Sequence, residues 1–355
     1  MSYPIYIYSG SNIVAEDDNY LYMRYTNSYW GMDTFEFVVN RWNSKASNYA
    51  KNTIIKWNNH QGIIEDKIHK QGGSERDDII TYRGVSYGLF HKRICWNGVT
   101  SGTGYDRKND KAETVMKYYV DKNCITTTNE RKVPNLTLEA DTARGSIVDY
   151  RARLQTVLQV LEEVGKFSGL GWEVTDYQFK ITQGKDRSAS QSLNPVVFLK
   201  SEFGNIETQE YQELDSKFYN AFYIGDASTG LNRTFTIYGT STGLSRKEMF
   251  VDAPDLSTTQ QRVDRGITLS KDYGQVYGIN LKYLPLMFQY GTDFTLGDII
   301  TYSGSDVVAD VRIIEATEQC QGDKLDIDLT LNRQLADFIR LYKNTNNLNS
   351  PKLRS

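Results

Sequence analysis

The chain is short of the residues that carry most protein chemistry. Its 355 residues include 3 His, 3 Cys and 6 Pro. His60, His69 and His91 all lie in the first hundred residues, and none shows the HxH or HExxH spacing of a metal site. They are expected to be isolated surface or barrel histidines. Cys95, Cys124 and Cys320 are odd in number and far apart. They form no CxxC pair and no disulfide framework, which leaves three free thiols. Long apolar runs are missing too: no stretch approaches the roughly 18 consecutive apolar residues that span a bilayer. The N-terminus lacks a basic stretch followed by a long apolar one, so no secretory signal is expected. Charge is balanced, with 41 Lys and Arg against 44 Asp and Glu and a net charge of −3. That excludes a strongly basic nucleic-acid binder and a polybasic membrane anchor.

What is abundant is tyrosine, at 25 residues. Hydrophobic residues make up 39%, enough for a core and against wholesale disorder. The length fits two or three domains.

Residues 1–98 read as β. Segments such as Thr34-Phe-Glu-Phe-Val-Val39, Thr53-Ile-Ile-Lys-Trp57, Gly62-Ile-Ile-Glu65 and Asp78-Ile-Ile-Thr-Tyr82 are rich in β-branched and aromatic residues. Asn-, Gly- and Ser-rich turns separate them, the pattern of a barrel or sandwich. Tyr6, Tyr8, Tyr20, Tyr22, Phe35 and Phe37 alternate within these strands, so their expected use is sheet packing and interfaces. Residues 99–210 change character. Val99 to Lys111 reads as a loop. The spacing of Ala112, Val115, Met116, Tyr119 and Val120 predicts a helix over 111–123, with Asp110 as N-cap. A second helix is predicted from about Ser146 to Phe167, with Leu154, Val157, Leu158, Leu161 and Val164 as its apolar stripe and Leu154, Leu158 and Leu161 buried. Trp172 to Ile181 reads as a hairpin. Residues 211–335 return to β, with a short helix over Gln260 to Leu269. In Leu325-Asp-Ile-Asp-Leu-Thr-Leu331, strict alternation predicts one buried face and one wet, acidic face. Residues 336–355 are expected as a short helical tail with a frayed end. The two β regions echo each other: Ile54-Ile55, Gly62-Ile-Ile-Glu65 and Ile79-Ile80 parallel Ile299-Ile300, Arg312-Ile-Ile-Glu315 and Ile327-Asp-Leu329. The expected fold class is α+β, mostly β, with two β-barrel-like domains flanking an inserted small α+β domain that carries two helices.

The chemical motifs are few. Gly239-Thr-Ser-Thr-Gly243 fits the G-x-S-x-G pattern of a hydrolase elbow. That elbow needs a following helix and a histidine later in the chain, and no His lies beyond His91. A β-turn is therefore expected. No phosphate-binding loop or dinucleotide fingerprint is present. The Arg107 to Lys132 segment holds seven Lys or Arg and four Asp or Glu, which reads as a solvated face. No catalytic residue, cofactor site or metal site is assigned.

Several short pieces, taken in order, resemble one family. They are Gly62-Ile-Ile-Glu65 ahead of Ile79-Ile-Thr-Tyr-Arg-Gly84, Leu89 with Arg93-Ile94, Tyr219-Asn-Ala-Phe222, Arg246-Lys-Glu248 with Phe250-Val-Asp252, Arg265-Gly266 and Leu296-Gly-Asp298. The chain resembles the tail-hub, or tail-associated (Tal-type), proteins of long-tailed phages in their N-terminal structural module. These are similar in turn to the baseplate hub of contractile-tailed phages. The resemblance implies a virion structural protein without enzymatic activity, made in the host cytoplasm and placed at the distal end of a siphovirus tail. It implies a homotrimer whose two barrel-like domains per subunit join a six-fold tube to a three-fold tip around the DNA channel. DNA would pass through without sequence-specific binding, and no membrane anchor is implied. Implied neighbours are the distal tail protein, the tape-measure protein and tail-fibre or receptor-binding proteins. Arg246, Glu248, Asp252 and Asp298 match family positions and are expected as a structural or interfacial ion-pair set. Hydrolase and receptor-binding extensions, common in the family, are not found before Ser355, so either those functions sit on other proteins or the sequence is a piece of a longer chain. The alternative reading is a cell-wall or polysaccharide-degrading glycoside hydrolase with a carboxylate pair lining a cleft.

Overall fold

The computed structural model describes all residues except 1–2, 75–77, 99–103, 215–217, 255, 257, 275, 305–306, 335–341 and 344–355. The chain divides into two compact units. Unit 1 holds Met1–Asp186, Lys282–Ile299 and Ile313–Leu329, and unit 2 holds Arg187–Leu281, Ile300–Arg312 and Thr330–Ser355.

Unit 1 starts with seven strands: β1 (Ile5–Ser9), β2 (Asn12–Asp17), β3 (Tyr22–Ser28), β4 (Thr34–Asn40), β5 (Ile54–Trp57), β6 (His60–Lys70) and β7 (Ile79–Ser86). They pair antiparallel in the order β3-β4-β7-β6-β5-β1-β2. Alternation decides which side chains turn inward. Met23 and Tyr25 on β3, Phe35, Phe37 and Val39 on β4, and Ile80 and Tyr82 on β7 are all buried. Register brings these aromatics together, with Tyr25 opposite Phe35 and Phe37 opposite Tyr82. The Phe37 ring centre lies 5.0 Å from that of Tyr82 and 4.9 Å from that of Tyr49. Gly62 and Gly84 are required beneath Phe35. A Cβ at either would come within 2.4 Å of that ring, and one at Gly84 would also meet the Ile63 carbonyl at 2.1 Å. A bulge between Ile64 and Asp66 shifts the register, and residues from Asp66 onward on β6 are exposed.

A second core follows within unit 1. Its elements are β8 (Asp106–Lys111), α1 (Ala112–Val120), β9 (Thr137–Leu138), β10 (Ile147–Ala152), α2 (Val157–Ser168), β11 (Gly171–Thr175) and β12 (Gln178–Thr182). The faces of α1 (Val115, Met116, Tyr119) and α2 (Val160, Leu161, Val164) pack with Trp172, Val174, Phe179 and Ile181 of the β11–β12 hairpin. The hairpin and α1 match the sequence reading.

The start of the second helix does not. Ile147–Ala152 is a strand paired antiparallel with Asp106–Lys111, which had read as loop. The physical cause is local: Thr156 and Gln159 form a capping box that begins α2 at Val157. Leu154 sits before the cap with a φ of 63° and is 52% exposed. The buried stripe is therefore Val157, Val160, Leu161 and Val164, with Leu158 half-buried. Asp110 is not an N-cap either: it lies in β8, and the Lys111 N–H donates to its carboxylate.

Unit 2 contains β13 (Phe198–Lys200), β14 (Ile206–Leu214), β15 (Ala221–Gly225), β16 (Phe235–Tyr238), β17 (Glu248–Asp252), α3 (Thr259–Asp272), most of β18 (Val276–Tyr283) and most of β19 (Ile299–Gly304). The long strands β20 (Val307–Gln321) and β21 (Lys324–Gln334) pass through both units. In unit 1, the later half of β20 pairs antiparallel with β3, from Glu315 opposite Ser28 to Cys320 opposite Met23. In unit 2, β16-β15-β17 form a small sheet, antiparallel on one side of β15 and parallel on the other. Helix α3, expected from the sequence, opens on a Thr258–Gln261 capping box. Phe222, Ile224, Ala253 and Leu269 form the core beneath it.

The sheets are open and do not close into the expected barrels. The unit 1 sheet ends on β2, where Asn12, Ile13 and Val14 are exposed. The alternation of Leu325 to Leu331 also splits: Leu329 and Leu331 are buried, while Leu325 and Ile327 line a cleft. The expected helical tail falls outside the described residues, apart from the two-residue strand β22 (Tyr342–Lys343). Among the described residues no helix is long and apolar enough to cross a membrane.

One ion cluster ties the α1 region together. Glu113 is fully buried; Lys117 Nζ lies 2.5 Å and Arg144 Nε 2.8 Å from its carboxylate. The Thr142 hydroxyl and the Arg144 backbone N–H also donate to it. Burial pushes this carboxyl up, but the hydrogen bonds from Arg144 and Lys117 outweigh it and hold the group well below the usual range. Glu113→Ala strands two cations and is expected to cost about 3–5 kcal/mol in denaturant unfolding at pH 7. Because the folded value lies below the unfolded one, this stabilisation is present above about pH 4.5 and lost on acidification. The wild type is therefore expected to lose more stability than the Glu113→Ala variant between pH 7 and pH 3.

Candidate functional site

Two features stand out, one in each unit. In unit 2, α3 covers one face of the β16-β15-β17 sheet, and alternation turns Phe235, Ile237 and Phe250 to the other. These three are 50%, 56% and 54% exposed. Ion pairs border them. Arg246 Nε lies 2.5 Å from Glu248 Oε1, and its guanidinium also reaches the Tyr223 hydroxyl at 3.2 Å. Arg233 pairs with Asp252 and lies 5.1 Å from the centre of the Phe250 ring. The face is thus apolar and aromatic at its middle, with each flanking charge matched by its neighbour.

In unit 1, a cleft of about 720 Å³ lies between β3, the turn before β4, the β5–β6 turn, β11 and the Tyr290–Leu296 segment. Its wall carries Tyr25, Asn27, Asp33, His60, Glu173, Tyr290 and Glu318. The His60 ring stacks on Tyr25 at 4.4 Å, and its Nε2 lies 2.9 Å from Glu318 Oε1. Asn58 Nδ2 donates to the second Glu318 oxygen at 2.8 Å. Burial pushes Glu318 up, but hydrogen bonds from His60 and Asn58 prevail and its carboxyl lies below the usual range. Asp33 stands differently. It accepts the Ser28 N–H at 2.9 Å, yet burial dominates and pushes its carboxyl up to about 7. Burial also raises Glu173.

Of the four residues singled out from the sequence, Arg246, Glu248 and Asp252 fall together on the unit 2 sheet face. Asp298 belongs to unit 1, is buried, and accepts the backbone N–H groups of Lys185 and Thr295. Ser241 of the G-x-S-x-G segment sits in a turn whose carbonyl accepts from Arg246, with a single short 3-10 turn following. The histidines are not isolated: each has a carboxylate within 3.0 Å, Glu318 for His60, Asp78 for His69 and Glu65 for His91. These pairs join residues up to 258 positions apart, a distance no local pattern signals. Burial pushes the thiols of Cys95 and Cys124 up to about 12, which makes them poor nucleophiles. Among the described residues no cluster of three His, Cys, Asp or Glu could hold a metal ion.

This two-unit, mostly β architecture is the fold of phage tail proteins. The chain is similar to the 43 kDa tail protein of prophage MuSo2 from Shewanella oneidensis, at 12% identity and a TM-score of 0.59, covering 93% of this chain and 97% of that one. It is similar to a tail protein from Neisseria meningitidis MC58, at 15% identity, a TM-score of 0.58 and coverage of 94% and 97%. It also resembles prophage tail protein gp18 of Listeria monocytogenes EGD-e, at 9% identity, a TM-score of 0.55 and coverage of 93% and 94%. A comparison with curated proteins finds no match. The family model of Siphovirus ReqiPepy6 Gp37-like proteins matches residues 4–331, and the chain belongs to that family. The resemblance read from the sequence, to a siphovirus tail protein, is therefore right.

The Asp33 carboxyl offers a test of the cleft's electrostatics. Its folded value, about 7, lies above the unfolded 3.8, so its contribution favours folding below pH 3.8 and is lost as pH rises to 7. Asp33→Asn keeps the acceptor for Ser28 and removes that cost. It is expected to raise stability by about 1–3 kcal/mol at pH 8, with the gain vanishing towards pH 4, in paired chemical denaturation series.

Proposed function

We propose that the protein is a structural hub component at the distal end of a long phage tail. Three copies form a ring that joins the six-fold tube to a three-fold tip and surrounds the DNA channel. The β-rich segments 1–98 and 211–335 supply two ring elements per subunit, and 99–210 is the insertion between them. Its neighbours in the virion are the distal tail protein, the tape-measure protein and the fibre or receptor-binding proteins. The observation that carries this reading is the outward face of β16-β15-β17 in a member of a siphovirus family. Exposed Phe235, Ile237 and Phe250 with a bordering set of matched ion pairs have the composition of a protein–protein contact: aromatic at the centre, polar at the rim. A ring built from such contacts is heterologous, so the face meets a different surface of the next copy.

The glycoside hydrolase reading is the weaker one. Of the three carboxyls in the unit 1 cleft, Glu318 is committed to His60 and Asn58.

Light scattering of the purified chain is expected to give a mass near three times 40.7 kDa. The double variant Ile237→Asp with Phe250→Asp is expected to shift that mass towards one subunit while far-UV circular dichroism stays unchanged. A wild type that stays monomeric across a wide concentration range overturns the trimer.

A further inference from the structure

The cleft in unit 1 holds two carboxyls that form no ion pair and two hydrogen-bond donors without an acceptor. Asp33 and Glu173 both line it, and among the described residues neither forms an ion pair, His60 and, for Glu173, Lys180 acting on them only from a distance. Two buried carboxylates are treated differently: Glu113 is met by Lys117 and Arg144, and Glu318 by His60. The second observation is independent of charge. Asn27 lines the same cleft and is 8% exposed, and its Nδ2 has no hydrogen-bond partner. The Thr175 hydroxyl, also in the cleft wall, is buried and unpartnered too. Buried polar groups left without partners are costly, and they mark places where an absent group completes the structure.

These requirements select a ligand class. Two carboxyls call for a cation, while an amide donor and a hydroxyl call for an oxygen acceptor on the same ligand. A polyamine supplies the first and lacks the second. An anion is repelled, and no metal-ligating cluster of three is present among the described residues. The volume of about 720 Å³ lies within the usual range for bound small ligands. We propose that this cleft binds a short peptide segment carrying a lysine or arginine side chain. Its ammonium or guanidinium sits against Asp33 and Glu173, and a main-chain carbonyl accepts from Asn27. An arginine suits the site best, because its planar fork can engage more than one carboxyl at once.

Isothermal titration of the full chain with acetyl-Gly-Arg-Gly-amide, its Lys and Gln counterparts, and spermidine tests this. The Arg and Lys peptides are expected to bind at least about tenfold more tightly than the Gln peptide. Asp33→Asn and Glu173→Gln are each expected to weaken the Arg peptide by about tenfold or more, with circular dichroism unchanged. Asn27→Ala is expected to weaken the Arg peptide and leave spermidine untouched. Equal binding of the Gln peptide, or no binding of any peptide at millimolar concentration, overturns the proposal. Spermidine binding as tightly as the Arg peptide overturns the assignment to a peptide. None of these readings depends on whether the chain is a trimer.

Discussion

The contact between Phe37, Tyr49 and Tyr82 is the constraint on which unit 1 depends. Three rings with centres about 5 Å apart, all buried, fix the register of β4 against β7. That register in turn places Phe35 over Gly62 and Gly84, where only glycine leaves room. It also carries Tyr25 on β3 to the position where its ring stacks on His60. A one-residue slip would turn every one of these side chains to the opposite face of the sheet. Tyr49 adds a polar lock, donating its hydroxyl to the buried carboxylate of Asp17, which Asn43 also supports. Part of the tyrosine excess is thus spent in this core, where the ring packs and the hydroxyl finds an acceptor.

Unit 1 also shows two opposite ways of placing a carboxyl away from water. Glu113 is surrounded by Lys117, Arg144, a hydroxyl and backbone N–H groups, and stays charged. Asp33 receives a single backbone hydrogen bond of this kind, from Ser28, and burial raises its carboxyl to about 7, so that it changes charge around neutral pH. The first arrangement belongs to a core that must not move, because removing either charge leaves the other stranded. The second belongs to a cleft wall, where a group can change its state or its partner without dismantling the fold. The contrast makes the cleft, rather than the more heavily charged α1 region, the place where chemistry is unfinished.

Unit 2 solves a different problem. A three-stranded sheet has two faces, and α3 can cover one. The other keeps three large apolar side chains in contact with solvent, and the charges around it cancel in pairs: Arg233 with Asp252 and Arg246 with Glu248. A surface so arranged neither attracts nor repels at long range, so its partner is selected by shape and apolar area.

Taken alone, the sequence determined that the fold is mostly β and that the chain is a siphovirus-type tail protein, though not that its sheets stay open. Alternating β-branched and aromatic residues made the strands legible, and the spacing of Val115, Met116 and Tyr119 made α1 legible, because both patterns repeat over a few residues. The short pieces from Gly62-Ile-Ile-Glu65 to Leu296-Gly-Asp298 carried the tail-protein resemblance. The start of α2 misled because Leu154 continues the apolar spacing, while the chain obeys the Thr156–Gln159 cap. The tertiary structure alone decided that the sheets stay open, that each histidine meets a carboxylate, and that Asp33, Glu173 and Asn27 share one cleft. The reason is the same in each case. Most of these features join residues far apart in the sequence, as in His60 with Glu318 at 258 positions, and burial, which sets their charge and their unmet hydrogen bonds, exists only after the strands have packed.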